Sequence, residues 1–207
     1  MVMTNRIYLA SRSPRRRELL RQIGVRFELL VFRNGERGED ADVDETPYPG
    51  EAVERYVERL ALAKAQAGFR RLRWRHLPSL PVLAADTTLE LNGQIIGKPE
   101  SADDARAILE RLSGREHRVL TAIAMSDGER TRSALSISQV RFRTLEGSEI
   151  RSYIASGEPM DKAGAYGIQG RAAVFIEHIQ GSYSGIMGLP LFETAQLLET
   201  FGYPVLK

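Results

Sequence analysis

Asp86 stands directly behind the apolar run Pro81-Val82-Leu83-Ala84-Ala85. A carboxylate at the end of a buried strand can take a proton from water or hold a divalent cation. Its competing role is to cap the turn Thr87-Thr88. Lys98 follows in the turn Gly97-Lys98-Pro99, and an acid and a base on one supersecondary unit suit metal and phosphate chemistry. Near the start, Ser11, Ser13 and the arginines Arg15, Arg16 and Arg17 surround Pro14, just after Ile7-Tyr8-Leu9. Proline suits the first position of a helix, where its missing N–H costs nothing. The free N–H groups there attract anions, and guanidinium forks match phosphate oxygens in pairs. This stretch reads as a phosphate-binding strand–turn–helix, or else as a solvated basic helix start with Ser13 as N-cap. Three further groups stay open. Asp44-Glu45 is an acidic patch or a solvated loop; Lys64, among small and apolar neighbours, works in a site or extends to water. Gln169 reads a base edge or bonds at the surface.

The elements that must carry these residues are expected as follows. Tyr8–Ala10 and Phe27–Val31 are strands around a helix from Pro14 to about Ile23. Residues 33–48 read as a loop, with an unusually charged part at Glu36 to Glu39. A helix from Gly50 to about Leu72 places Val53, Val57, Leu60, Ala61 and Ala65 on one face. Pro81–Ala85 is a strand that ends at Asp86-Thr87-Thr88. Leu89–Leu91 and Gln94–Ile96 form a hairpin around Asn92-Gly93. A helix covers Ala102–Leu112 with Ser101 as N-cap, and Arg118–Met125 and Thr131–Phe142 pair around Asp127-Gly128. Glu146–Ser156 is a helix stopped by Gly157, Ala172–Ile179 a strand, and Pro190–Phe201 a closing helix. Glycines at 157, 164, 167 and 170 mark tight turns rather than a regular element. The mixture of hairpins and alternating helices gives an α/β chain with a mixed sheet, organised as a single domain over residues 1–207.

Composition narrows the function. The 207 residues suffice for one core, or one core split by a cleft into two lobes. The 29 basic and 27 acidic residues leave a formal charge of +2, too balanced for a nucleic-acid binder despite a pI near 9.0. The cluster Arg70–His76 reads as a solvated helix end. There is no cysteine and only three scattered histidines, so thiolate chemistry and soft metal sites are excluded. Any metal is a hard ion such as Mg²⁺ or Mn²⁺ on carboxylates and phosphates. No apolar run reaches membrane-span length and the N-terminus lacks a signal-peptide core, so a cytoplasmic protein without membrane contact is expected.

Taken together the blocks resemble the Maf family of nucleoside triphosphate pyrophosphatases. The matching stretches are Ala10–Arg16 with Glu18-Leu19-Leu20, Asp44-Glu45, Tyr56–Ala61 with Lys64-Ala65, and Ala85-Asp86-Thr87. They continue with Gly97-Lys98-Pro99, Leu112-Ser113-Gly114 with His117, Asp161–Gly170 and Gly188-Leu189-Pro190. The resemblance implies an elongated mixed sheet flanked by helices, two lobes with a central cleft, related to the inosine triphosphate pyrophosphatases. It implies hydrolysis of a nucleoside triphosphate to the monophosphate and pyrophosphate with a divalent metal, and a homodimer. By position, Asp86 is similar to the carboxylate that activates water and Glu45 to its acidic partner near the metal. Ser13, Arg16, Lys64 and Lys98 resemble the phosphate-binding set. Arg15, Thr87 and Gln169 resemble the branch acting on dTTP and UTP, which implies housecleaning of nucleotide pools and a link to cell-division arrest. A nucleotide-binding regulator of septum formation is the alternative; the full set Asp86, Glu45, Lys64 and Lys98 argues against a pure binder.

Overall fold

A computed structural model describes residues 6–31 and 43–206. Most of the expected loop at 33–48, including Glu36 to Glu39, lies outside the described residues. The chain forms strands β1 (Arg6–Ala10), β2 (Arg26–Leu29), β3 (Val82–Leu91), β4 (Gln94–Ile96), β5 (Glu116–Ser126), β6 (Thr131–Phe142) and β7 (Ile176–Gln180). The α-helices are α1 (Pro14–Gln22), α2 (Val53–Trp74), α3 (Ala102–Leu112), α4 (Gly147–Ala155), α5 (Tyr183–Met187) and α6 (Leu191–Thr200). The strands form one mixed sheet in the order β2-β1-β3-β5-β6-β7, with β4 paired to β3. No helix among the described residues is long and apolar enough to cross a membrane.

The chain divides into two compact units that interleave along the sequence. The first takes the chain up to Asp86, Thr121–Leu135 and the stretch from Gly188 on. Here β1 pairs in parallel with β2 and with β3, ending at Ala10↔Ala84. Ile7, Leu9, Leu83 and Ala84 are fully buried, as apolar strands covered on both faces must be. Helix α2 lies directly on these strands. A Cβ placed on Gly68 would come within 2.8 Å of Val82 Cγ1 and 3.4 Å of Ala10 Cβ. Its buried face is Val57, Leu60, Ala61, Ala65 and Leu72, the expected stripe extended by two turns. Arg71 is fully buried within that face, so Arg70–His76 is not simply a solvated helix end. Leu19 and Leu20 of α1 and Leu197 and Leu198 of α6 complete the core.

The second unit takes Thr87–Leu120 and Ser136–Met187. The β3–β4 hairpin turns at Asn92 (φ 54°) and Gly93 (φ 79°), the left-handed pair that a tight two-residue turn requires. The Glu90 carboxylate accepts from Gly93 N–H and from Arg118 Nε. Helix α3 is capped by Ser101 Oγ, which accepts from Asp104 N–H at 3.1 Å. The apolar cluster includes Leu89, Ile96, Leu109, Leu112, Phe142, Tyr153, Tyr166 and Phe175.

Two elements depart from the sequence expectation. Strand β3 does not stop at Ala85 but runs on through Asp86, Thr87 and Thr88 to Leu91. β-branched threonines favour extended backbone, and that preference overrides the turn signal. The strand expected over Ala172–Ile179 begins only at Ile176, because Arg171–Phe175 coils as a 3₁₀ helix. The glycine-rich stretch is irregular, as expected, but includes short 3₁₀ turns at Glu158–Asp161 and Ala163–Ala165.

Candidate active site

Asp86 sits inside β3, two residues beyond the last β1–β3 pair at Ala10↔Ala84. At that level β1 has already given way to the 11–13 turn and α1. The first unit therefore sets Asp86 at the carboxyl end of a parallel pair, where α/β sheets gather ligand-binding groups. The side chain is 11% exposed, and a buried carboxylate needs a partner to offset lost hydration. Lys64 Nζ, on α2, donates to Asp86 Oδ1 at 2.7 Å and to Glu45 Oε1 at 2.5 Å. Lys64 thus does not reach out to bulk water; its head lies between two carboxylates. Burial pulls the ammonium pKa down, but Asp86 and Glu45 together outweigh burial and hold it above the ordinary lysine value. Tyr56, two helical turns before Lys64, donates from its hydroxyl to the Glu45 carbonyl at 3.0 Å. Burial, then Asp86 and Glu45, raise the Tyr56 phenol pKa, so it stays a donor.

The turn before α1 belongs to the same unit. Ser13 occupies the N-cap position without a side-chain cap bond; its N–H donates to Ser11 Oγ at 3.2 Å. Arg16 is half-buried, with Nε donating to the Gly188 carbonyl at 2.8 Å and Nη1 to Ser11 Oγ at 3.3 Å. Burial lowers its pKa, and the Asp86 carboxylate opposes that shift. Arg15 is half-buried on the same helix start. No acidic residue occupies the first turn of α1, so the helix N-terminus keeps its anion-attracting character.

Thr87, Lys98 and Gln169 belong to the second unit. Thr87 follows Asp86 in β3 and is half-buried; Lys98 and Gln169 are exposed. The Gly97 carbonyl accepts from Gly164 N–H at 2.9 Å, so the Lys98 turn is tied to the Ala163–Ala165 coil. Gly164 needs its φ of 73°, and a Cβ there would press to 2.9 Å from Leu89 Cδ1 and Cδ2. Next to Gln169, the Glu158 carboxylate accepts from Tyr153 Oη at 3.0 Å and from Arg171 N–H at 3.1 Å. A Cβ on Gly170 would come within 2.0 Å of Glu158 Oε1, so a larger residue there would displace this carboxylate.

A divalent cation can be tested against these donors. Among the described residues no group of three or more His, Cys, Asp or Glu converges. Asp86 and Glu45 nevertheless both turn an oxygen onto one ammonium, a spot where positive charge is already stabilised. Two hard carboxylates fit Mg²⁺ or Mn²⁺ when phosphate and water oxygens complete the shell. Residue chemistry alone left Lys64 and Glu45 undecided. The Tyr56–Lys64 spacing of eight was the available signal, since it puts both on one face of a helix.

The chain matches the family described as Maf-like protein over residues 6–201. It is 79% identical to a dTTP/UTP pyrophosphatase of Aromatoleum aromaticum over 97% of each chain. A protein of the same name in Dechloromonas aromatica is 59% identical, over 96% of this chain and 98% of its own. Among solved structures, the Staphylococcus aureus Ham1 protein aligns with a TM-score of 0.53 at 18% identity, covering 95% of this chain and 99% of its own. That likeness carries the fold.

Proposed function

The chain belongs to the Maf family, and from that premise we propose that it hydrolyses dTTP and UTP to the nucleoside monophosphate and pyrophosphate. The relatives at 79% and 59% identity bear that activity in their names. The observation that carries the reading is the Asp86–Lys64–Glu45 cluster beyond the end of the β1–β3 ladder. Asp86 accepts the proton of the attacking water as its oxygen approaches the α phosphorus. Lys64, Arg16 and Ser13 bind phosphate oxygens and offset the charge that builds on departing pyrophosphate. Lys64 orients the Asp86 carboxylate through its hydrogen bond until substrate arrives. Asp86 and Glu45 would hold Mg²⁺ or Mn²⁺, which lowers the pKa of a bound water and neutralises phosphate charge. The roles of Lys98 in phosphate binding and of Arg15, Thr87 and Gln169 in base recognition belong to the same proposal and rest on the family resemblance. So do a homodimeric state and single-domain behaviour. A cytoplasmic location suits an enzyme whose substrate is the cell's nucleotide pool.

The test is a panel of dTTP, UTP, CTP, GTP and 7-methyl-GTP with separate detection of pyrophosphate and orthophosphate. The expected result is pyrophosphate release with about a hundredfold higher kcat/KM for dTTP and UTP, since unpaired polar groups in a base site penalise the wrong base. Chelator abolishes turnover and added Mg²⁺ or Mn²⁺ restores it. Gln169→Glu narrows the preference, because a charged acceptor replaces two amide donors. Orthophosphate as product, or full activity in chelator, would overturn the reading.

A further inference from the structure

Glu45 poses a problem of placement. Its side chain is 53% exposed, and residues 43–48 form neither helix nor strand. A carboxylate on such a segment samples many positions unless its backbone is tied down. Yet it meets Lys64 at 2.5 Å. What ties it down is on the page. Tyr56 Oη donates to the Glu45 carbonyl at 3.0 Å. One residue on, Arg59 Nη2 donates to the Thr46 carbonyl at 3.2 Å. Arg59 also grips Glu51 with two bonds of 2.7 Å, from Nε and Nη2. Glu51 in turn accepts from Tyr48 N–H at 3.1 Å, and the Arg59 guanidinium lies 4.0 Å from the centre of the Tyr48 ring.

Tyr56 and Arg59 are one turn apart on α2, and Lys64 lies farther along the same helix. One rigid helix thus carries both the cation that Glu45 meets and the two side chains that hold the Glu45 backbone. We infer that Tyr56 and Arg59 are positioning residues for the reaction: they fix the 45–51 segment on α2 so that the Glu45 carboxylate stands beside Asp86. This rests on the reading of Glu45 as the acidic partner in hydrolysis. Arginine is required rather than lysine, because one planar fork serves the Glu51 carboxylate and the Thr46 carbonyl while its face stacks on Tyr48. A hydroxyl at 56 is required for the single bond to the Glu45 carbonyl.

The experiment compares Tyr56→Phe, Arg59→Lys and Glu45→Gln, singly and as the two pairs with Glu45→Gln, in Mg²⁺ with dTTP. Tyr56→Phe removes one oxygen and Arg59→Lys keeps the charge, so both variants should fold. Each is expected to lower kcat about tenfold with KM changed less than about twofold, because orientation rather than binding is lost. In the Glu45→Gln background neither should lower kcat further, since residues acting through one group are not additive. Amide hydrogen exchange over residues 44–51 should accelerate in Arg59→Lys and not elsewhere. Losses that add to that of Glu45→Gln, a change confined to KM, or unaltered exchange would each overturn the inference. Glu45→Gln with wild-type turnover would instead remove Glu45 from the mechanism, and the clamp's catalytic purpose with it. A wild-type protein inert toward dTTP would defeat the functional reading, and the exchange comparison alone would then decide whether the clamp exists.

Discussion

Asp86→Asn is expected to lower kcat for dTTP at least about a hundredfold while the protein stays folded. Asparagine matches aspartate in shape, so strand β3 and its fully buried neighbours Ala84 and Ala85 are undisturbed. Lys64 keeps its 2.5 Å contact with Glu45 and can still donate to the amide oxygen, so the buried cation is not stranded. What the amide cannot do is accept a proton from water, and it is a far weaker ligand for a divalent cation than a carboxylate. Losing one buried charge partner does cost stability, so a lower melting temperature is part of the expected result. Asp86→Ala should be worse on that count, since it leaves both a cavity and a weaker partner for Lys64. The check is kcat and KM for dTTP together with a melting curve for each variant. Turnover by Asp86→Asn within about threefold of the parent would take Asp86 out of the mechanism.

Acid is expected to lower the stability of this protein over a particular interval through His117. Its ring is buried, at 2% exposure, with Nε2 2.8 Å from Tyr166 Oη and edge contacts to Phe142 and Tyr166. Burial among these aromatic rings lowers its pKa to about 4, because the imidazolium form would lose its hydration. The unfolded chain titrates near 6.5 and therefore binds the proton first as pH falls. Stability from the neutral ring is fully present above about pH 6.5, declines as pH drops toward about 4, and is level below that. The full loss is about 3 kcal/mol, a large share of a typical domain's total. Denaturant midpoints at several pH values should show this decline in the parent and a clearly smaller one in His117→Gln, which does not titrate there. Equal declines in both proteins would assign the acid sensitivity to other groups.

The sequence was most legible where local chemistry decides the outcome. Pro14 opens α1, Ser101 caps α3, Asn92-Gly93 turns the β3–β4 hairpin, and β6 spans Thr131–Phe142 as expected. Reading failed where a distant partner decides. Asp86-Thr87-Thr88 carry a turn signal, yet β3 runs through them as a strand, and the ammonium that Asp86 meets there lies 22 residues earlier. Residue chemistry left Lys64 open between a site and water because its two carboxylate partners are 19 and 22 residues away, and no period in the sequence links them. The 3₁₀ coil at Arg171–Phe175 replaced the first part of the expected strand: Ala172 and Phe175, three residues apart, both enter the core, a spacing that a helical turn serves and a pleated face does not. The proposed base-reading residues Arg15, Thr87 and Gln169 came from resemblance, since nothing in their own chemistry singles out a pyrimidine.

The interleaving of the two units bears on how the chain is made. Arg16 is synthesised early, but the carbonyl that accepts from its Nε belongs to Gly188, 172 residues later. Leu197 and Leu198 of α6, buried residues of the same unit as Leu19 and Leu20, are likewise made nearly a whole chain later. During translation the unit that begins first therefore finishes last, while the second unit has all its residues by Met187. Contacts so far apart in sequence are slow to close, and until they do Arg16 Nε on the nascent chain is without the Gly188 carbonyl. A premature stop just before Gly188 deletes none of Ser13, Arg16, Lys64 or Asp86, yet it releases a polypeptide in which Arg16 lacks that carbonyl and the first core lacks its closing helix.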